Sequence, residues 1–168
     1  SKEIIIMEND PFYLKIVERL NGQLDDQLFQ SCAGDLLRNI YPGIVPYTGG
    51  DDAGMDGAIP DFEKEPYPLI VTIGADAIGN LTRNLKKFLS EGRKQRKAVF
   101  ATSQKLTPAR MQNLFHRAEQ LGFTLLQIHH QDWFAKALYR DQTWCKTLLG
   151  LSGKPSALSR IPLSIRSF

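Results

Sequence analysis

Three runs without charge across their centres, "PLIVTIG" (68–74), "KAVFATS" (97–103) and "FTLLQIH" (123–129), stand one helical segment apart from each other. A strand with no polar face needs cover on both sides. The two intervening segments supply it. From Ala77 to Glu91, Ile78, Leu81, Leu85, Phe88 and Leu89 share one helical side. The next helix opens at Thr107-Pro108, carries Met111, Leu114, Phe115, Ala118 and Leu121, and closes at Gly122. A strand–helix–strand–helix–strand order with single helical crossovers makes these three strands parallel neighbours.

The rest of the chain extends this frame. Asp10-Pro11 reads as a cap and first turn of a helix through Leu20, with Gly22 as its stop. A second helix starts at Asp25 or Asp26 and buries Leu28, Phe29, Cys32, Ala33, Leu36, Leu37 and Ile40. "GIVPYT" and the stretch from Asp56 to Ile59 read as short strands able to form an antiparallel hairpin, and "DFEKEPYP" reads as a polar turn. Two short helices, 133–139 and 144–149, follow the last strand. The order α-α-β-β-β-α-β-α-β-α-α implies an α/β domain with a mixed sheet between helical layers. A single domain over 1–150 is expected, followed by a Ser/Pro/Arg-rich tail, 151–168, that reads as a linker or a docking arm for a further domain or protein partner.

Charge and cysteine usage narrow the function classes. A net charge of +3 over 168 residues excludes a polybasic protein, so nucleic-acid binding requires a local patch. Cys32 and Cys145 lie in separate helical patterns and read as buried thiols of a reducing compartment. "SKEIIIMEND" has no secretory-signal pattern, and no run reaches the ~20 apolar residues of a membrane span, so a cytoplasmic, non-membrane protein is expected.

The loop "GGDDAGMDG" (49–57) gathers three aspartates and four glycines in nine positions. Crowded carboxylates repel one another unless a cation stands among them, and a hard divalent ion suits oxygen ligands best. A solvated acidic turn is the other reading, since Asp and Gly are favoured in turns. The loop is no EF-hand, because no closing Glu is present, and its negative sign excludes a phosphate cradle.

Asp56, in "GMDG", stands at the start of a strand beside the uncharged strand "PLIVTIG". A helix, a strand, a G-x-D-G turn, and then alternating strands and helices over roughly residues 25–140 resemble the restriction-endonuclease-like, or PD-(D/E)XK, nuclease superfamily. The resemblance implies a three-layer α/β/α sandwich of that type. It also implies metal-dependent hydrolysis of DNA phosphodiester bonds with Mg²⁺ or Mn²⁺, and Asp56 as the metal ligand. An assisting helical acid falls at Gln30, with Asp26 as a substitute. The family's next strand carries acid-x-Lys on one face, whereas here the same-face pairs are Val71 with Ile73 and Ile70 with Thr72. Asp76, at a helix N-cap, and Asp52 (or Asp51), in the acidic loop, are the candidate further metal carboxylates. With Ile78 as the reference of the helical wheel, Lys86 falls near the apolar margin and Lys87 opposite, making Lys86 the candidate displaced lysine.

"RNLKKFLSEGRKQRK" (83–97) carries Arg83, Lys86, Lys87, Arg93, Lys94, Arg96 and Lys97 against the single acid Glu91. Such a cluster is either a solvated surface or a contact for a DNA backbone without base reading. Gln104 and Lys105 would extend it, and no interleaved aromatic suggests base stacking. His116, His129 and His130 lack zinc spacing with the cysteines. The expectation is a metal-dependent nuclease-like domain acting on DNA. Its alternative is an inactive module of the same fold that binds nucleic acid or a protein partner.

Overall fold

The computed structural model describes residues 2–46 and 54–153. Helices α1 (Lys2–Glu8), α2 (Pro11–Leu20) and α3 (Asp26–Leu37) precede strands β1 (Val45–Pro46), β2 (Gly57–Asp61) and β3 (Lys64–Thr72). Then α4 (Ala77–Ser90), β4 (Lys97–Thr102), α5 (Pro108–Gln120) and β5 (Thr124–His129) alternate, and α6 (Gln131–Arg140) and α7 (Gln142–Leu149) close the order. The strands form one mixed sheet in chain order, β1-β2-β3-β4-β5. The first three are antiparallel neighbours, while β3, β4 and β5 are parallel, as the two crossovers require.

Strand alternation divides the core in two. Leu69, Val71, Val99 and Ala101 point into a cluster with α2, α3, α6 and α7, where Phe29 meets Phe134 edge-on at 5.0 Å. Ile70, Ala98 and Phe100 point to the other side, against Leu81, Leu85 and Phe88 of α4 and Leu114 and Ala118 of α5. Because both faces of β3 and β4 are buried, these strands carry no polar stripe. The result is an α/β fold with helical layers on both sides of the sheet. No helix among the described residues is long and apolar enough to cross a membrane.

Three sequence expectations change. The amino-terminal segment, read in the sequence only as lacking a secretory-signal pattern, forms α1. Its Met7 is fully buried, and buried Glu3 accepts from Arg140 Nη2 at 3.4 Å. "DFEKEPYP" is mostly strand: the turn is only Phe62–Glu63, and β3 begins at Lys64. Leu151 joins the larger core, so packing continues just past the expected boundary, and 154–168 lies outside the described residues.

Candidate functional site

The cavity at the carboxyl end of β3 is built around Asp56. β2 begins opposite Leu69, where the Asp56 N–H donates to the Leu69 carbonyl at 2.8 Å. Beyond that pair, Asp56 itself meets the next β3 donor on this edge: its Oδ2 accepts from Val71 N at 2.7 Å. One carboxylate oxygen therefore continues the sheet ladder, which fixes the side chain in a half-buried position at the rim.

Around it lie Asp26, Gln30, Val71, Thr72, Ile73, Gly74, Asn80 and Asn84, enclosing a space of about 370 Å³. Asp26 and Gln30 are one turn apart on α3 and so share a face, while Phe29 and Cys32 of the same helix are buried in the core. Asn80 and Asn84 repeat this spacing on α4, where the Asn84 amide nitrogen donates to the Asn80 carbonyl at 2.9 Å. The floor is held firmly. Thr72 Oγ1 accepts from Gly74 N at 3.0 Å, and Gln104 Nε2 donates to the Ile73 carbonyl at 2.8 Å.

Gly54 fixes how the acidic loop enters. Its φ is +82°, and a Cβ there would overlap the Asn84 carbonyl oxygen and lie 2.6 Å from Phe88 N. Only glycine lets the chain lie directly on the α4 backbone two residues before Asp56.

The expected site residues separate into three groups. Asp56, Gln30 and Asp26 line the same cavity. Asp51 and Asp52 lie outside the described residues. Asp76 is absent from the cavity lining. Its carboxylate is exposed, caps α4 through Gly79 N at 2.9 Å, and stands 4.0 Å from Arg83 Nη1.

Lys86 is exposed and also absent from the lining. The apolar side of α4 is centred on Leu81 and Leu85, roughly 60° from Ile78 at 100° per residue, so Ile78 lies at its margin. On the corrected wheel, half-buried Lys87 follows the Asn80–Asn84 face and Lys86 turns away. Asn80 and Asn84 were missed in the sequence. Their signal was a carboxamide pair at i, i+4 flanking the apolar stripe.

The basic segment is divided: Arg83, Lys86 and Lys87 lie on α4, and the residues after α4 lie elsewhere. Lys64, Glu65, Lys94, Gln95, Arg96, Lys97 and Thr124 line an open groove of about 570 Å³ at the amino ends of β3, β4 and β5. Its 93–97 wall is tied down from within. Buried Gln95 donates through Nε2 to Asp61 Oδ2 at 3.0 Å and to the Glu65 carbonyl at 2.8 Å. Glu65 Oε1 accepts from Lys94 N at 2.5 Å and also from Gln95 N. Arg93 and Arg96 lie over the rings of Phe88 and Phe123, each 5.4 Å from the centroid. Gln104 and Lys105 do not extend this patch, because they follow β4 at the opposite end of the sheet.

Both cysteines and His129 lie in the interior. Cys32 and Cys145 are free, buried thiols, both pushed above their usual range by burial. His129 is buried, with Nε2 2.9 Å from Tyr41 Oη, and desolvation, followed by the neighbouring His130, lowers its pKa to about 4. Among the described residues, no three His, Cys, Asp or Glu side chains form a metal-holding group. Compared with family models, curated proteins and solved structures, the chain matches none.

Proposed function

We propose that this domain is a metal-dependent nuclease-like module acting on DNA, with its reaction centre in the cavity around Asp56. The observation that carries this reading is that Asp56, Asp26 and Gln30 line one cavity at the carboxyl end of β3. Two carboxylates with nearby carboxamide oxygens form an oxygen donor set of the kind that suits Mg²⁺ or Mn²⁺, which commonly use one or two carboxylates and keep bound water. When bound, the ion would supply Lewis-acid polarisation of a phosphoryl oxygen and a more acidic water.

The chain's own groups then have distinct tasks. Asp56 and Asp26 would hold the ion, with Asp56 aimed by the Val71 N–H. Gln30 and Asn80 would orient a phosphodiester through neutral N–H donors, in place of the missing acid-x-Lys pair, with Asn80 held by the amide nitrogen of Asn84.

A second reading, a non-catalytic nucleic-acid-binding module, is favoured by one observation: no lysine lines this cavity among the described residues. Plasmid and linear DNA incubated with Mg²⁺ or Mn²⁺ separate the two. Wild type is expected to cut, and Asp56→Asn, which retains an acceptor for Val71 N, to lose about 100-fold or more of the rate. DNA retention by wild type without cutting selects the second reading. Equal cutting by Asp56→Asn removes the site from this cavity.

A further inference from the structure

The turn joining β2 to β3 carries the most exposed large apolar side chain among the described residues. Phe62 is 105% exposed, and its φ of +49° lies in the left-handed region that β-carbon-bearing residues avoid. Mirror-image hairpin turns require a positive φ at their first loop position, which Gly, Asn or Asp occupies at less cost. An aromatic ring here gains no burial to offset that cost.

Its surroundings are chemically specific. Asp61, immediately before Phe62, holds Lys97 Nζ at 3.3 Å and buried Gln95, so the turn is fastened to the basic loop. Lys64, two residues after Phe62, begins the opposite wall of the groove, facing the segment Lys94–Lys97. The groove's acids are engaged: Asp61 by Lys97 and Gln95, and Glu65 by the backbone N–H groups of Lys94 and Gln95. Glu63, on the turn itself, is the exposed acid beside the ring. Lys64 and Lys94 are exposed cations on the two walls.

We propose that Phe62 and the Lys64/Lys94 groove form a binding surface for unpaired nucleic-acid bases, the ring stacking on a base while the lysines contact flanking phosphates. This deepens the nucleic-acid reading of the preceding section and rests on it only for the class of polymer, not for cleavage. An aromatic face beside a cationic groove is the combination that binds single strands with little sequence preference. The sequence conceals it because Phe62 and the basic loop stand about thirty positions apart. A lipid surface is the less favoured occupant, since a single ring gives little insertion and the cations line a concave groove.

The test measures binding of a fluorescent single-stranded oligonucleotide, the corresponding duplex and anionic vesicles to the full chain, in EDTA and across a salt series. All proteins carry Asp56→Asn, so cutting cannot intrude. Single strands are expected to bind more tightly than duplex. Phe62→Ala is expected to weaken single-strand binding about tenfold with an unchanged salt slope. Lys64→Ala with Lys94→Ala is expected to flatten that slope by about 0.7 per lost phosphate contact. Phe62→Ala binding single strands like its parent overturns the proposal, as does a preference for duplex or for vesicles. Because no cleavage is read, a failure here is distinct from failure of the Asp56 assay.

Discussion

At the scale of single residues, Gly54 and Asp56 act as a pair. The G-x-D-G spacing was enough to single out Asp56, but not to show what holds it, because the register of β2 against β3 cannot be read from composition. Only the observed register leaves Val71 N for the carboxylate. Gly54 shows the same limit: a positive φ is a natural expectation for glycine, whereas its seat on the α4 backbone is a tertiary fact. Gly54→Ala therefore combines a left-handed penalty of about 1–2 kcal/mol with an overpacking cost of about 1–3 kcal/mol. A denaturant midpoint should fall accordingly, with a larger loss of any divalent-ion affinity than the stability change alone would give. A variant as stable as wild type would mean that the loop leaves α4 at negligible cost.

Among elements, α4 separates structure from chemistry. Its existence and length follow from the apolar stripe, yet the stripe's centre is displaced from Ile78, which puts Lys87 rather than Lys86 on the Asn80–Asn84 side. Asp76 is the sharper case, since an acid just after a strand could serve either a metal or a helix. Its bond to Gly79 N and its exposure assign it to the helix. Asp76→Ala should lower stability by about 1 kcal/mol, as loss of an N-cap does, and leave Mg²⁺ affinity at the wild-type value. A drop in affinity equal to that of Asp56→Asn would return Asp76 to the site.

The other misread elements have local causes. In β3 the residues before Leu69 have no β4 partner in the register, and the first three are exposed, so they look like a turn. In α1 a buried acid, Glu3, interrupts the apolar face and hides the helix.

For the whole molecule, the parallel strand order was legible because crossovers leave few alternatives, but the relation between the acidic loop and the basic segment was not. The groove and the Asp56 cavity lie at opposite ends of β3, and α4, whose 14 residues at ~1.5 Å each span about 21 Å, returns the chain from the cavity end to the groove end. From Lys64, on the groove, to Val71, at the cavity, is seven steps along β3, roughly 23 Å at the usual strand rise. A nucleic acid docked at Phe62 and cut at Asp56 must cover this distance, which equals about seven base pairs at the 3.4 Å spacing of duplex phosphates. End-labelled duplexes with a single-stranded overhang should therefore be cut in a cluster about seven base pairs from the junction, provided that one molecule occupies both ends. Phe62→Ala should disperse the cluster without abolishing cutting, whereas Asp56→Asn should abolish it. Cuts scattered evenly in wild type would show that the groove and the cavity engage different molecules, and would leave the groove as a recruiting surface with no part in choosing the bond.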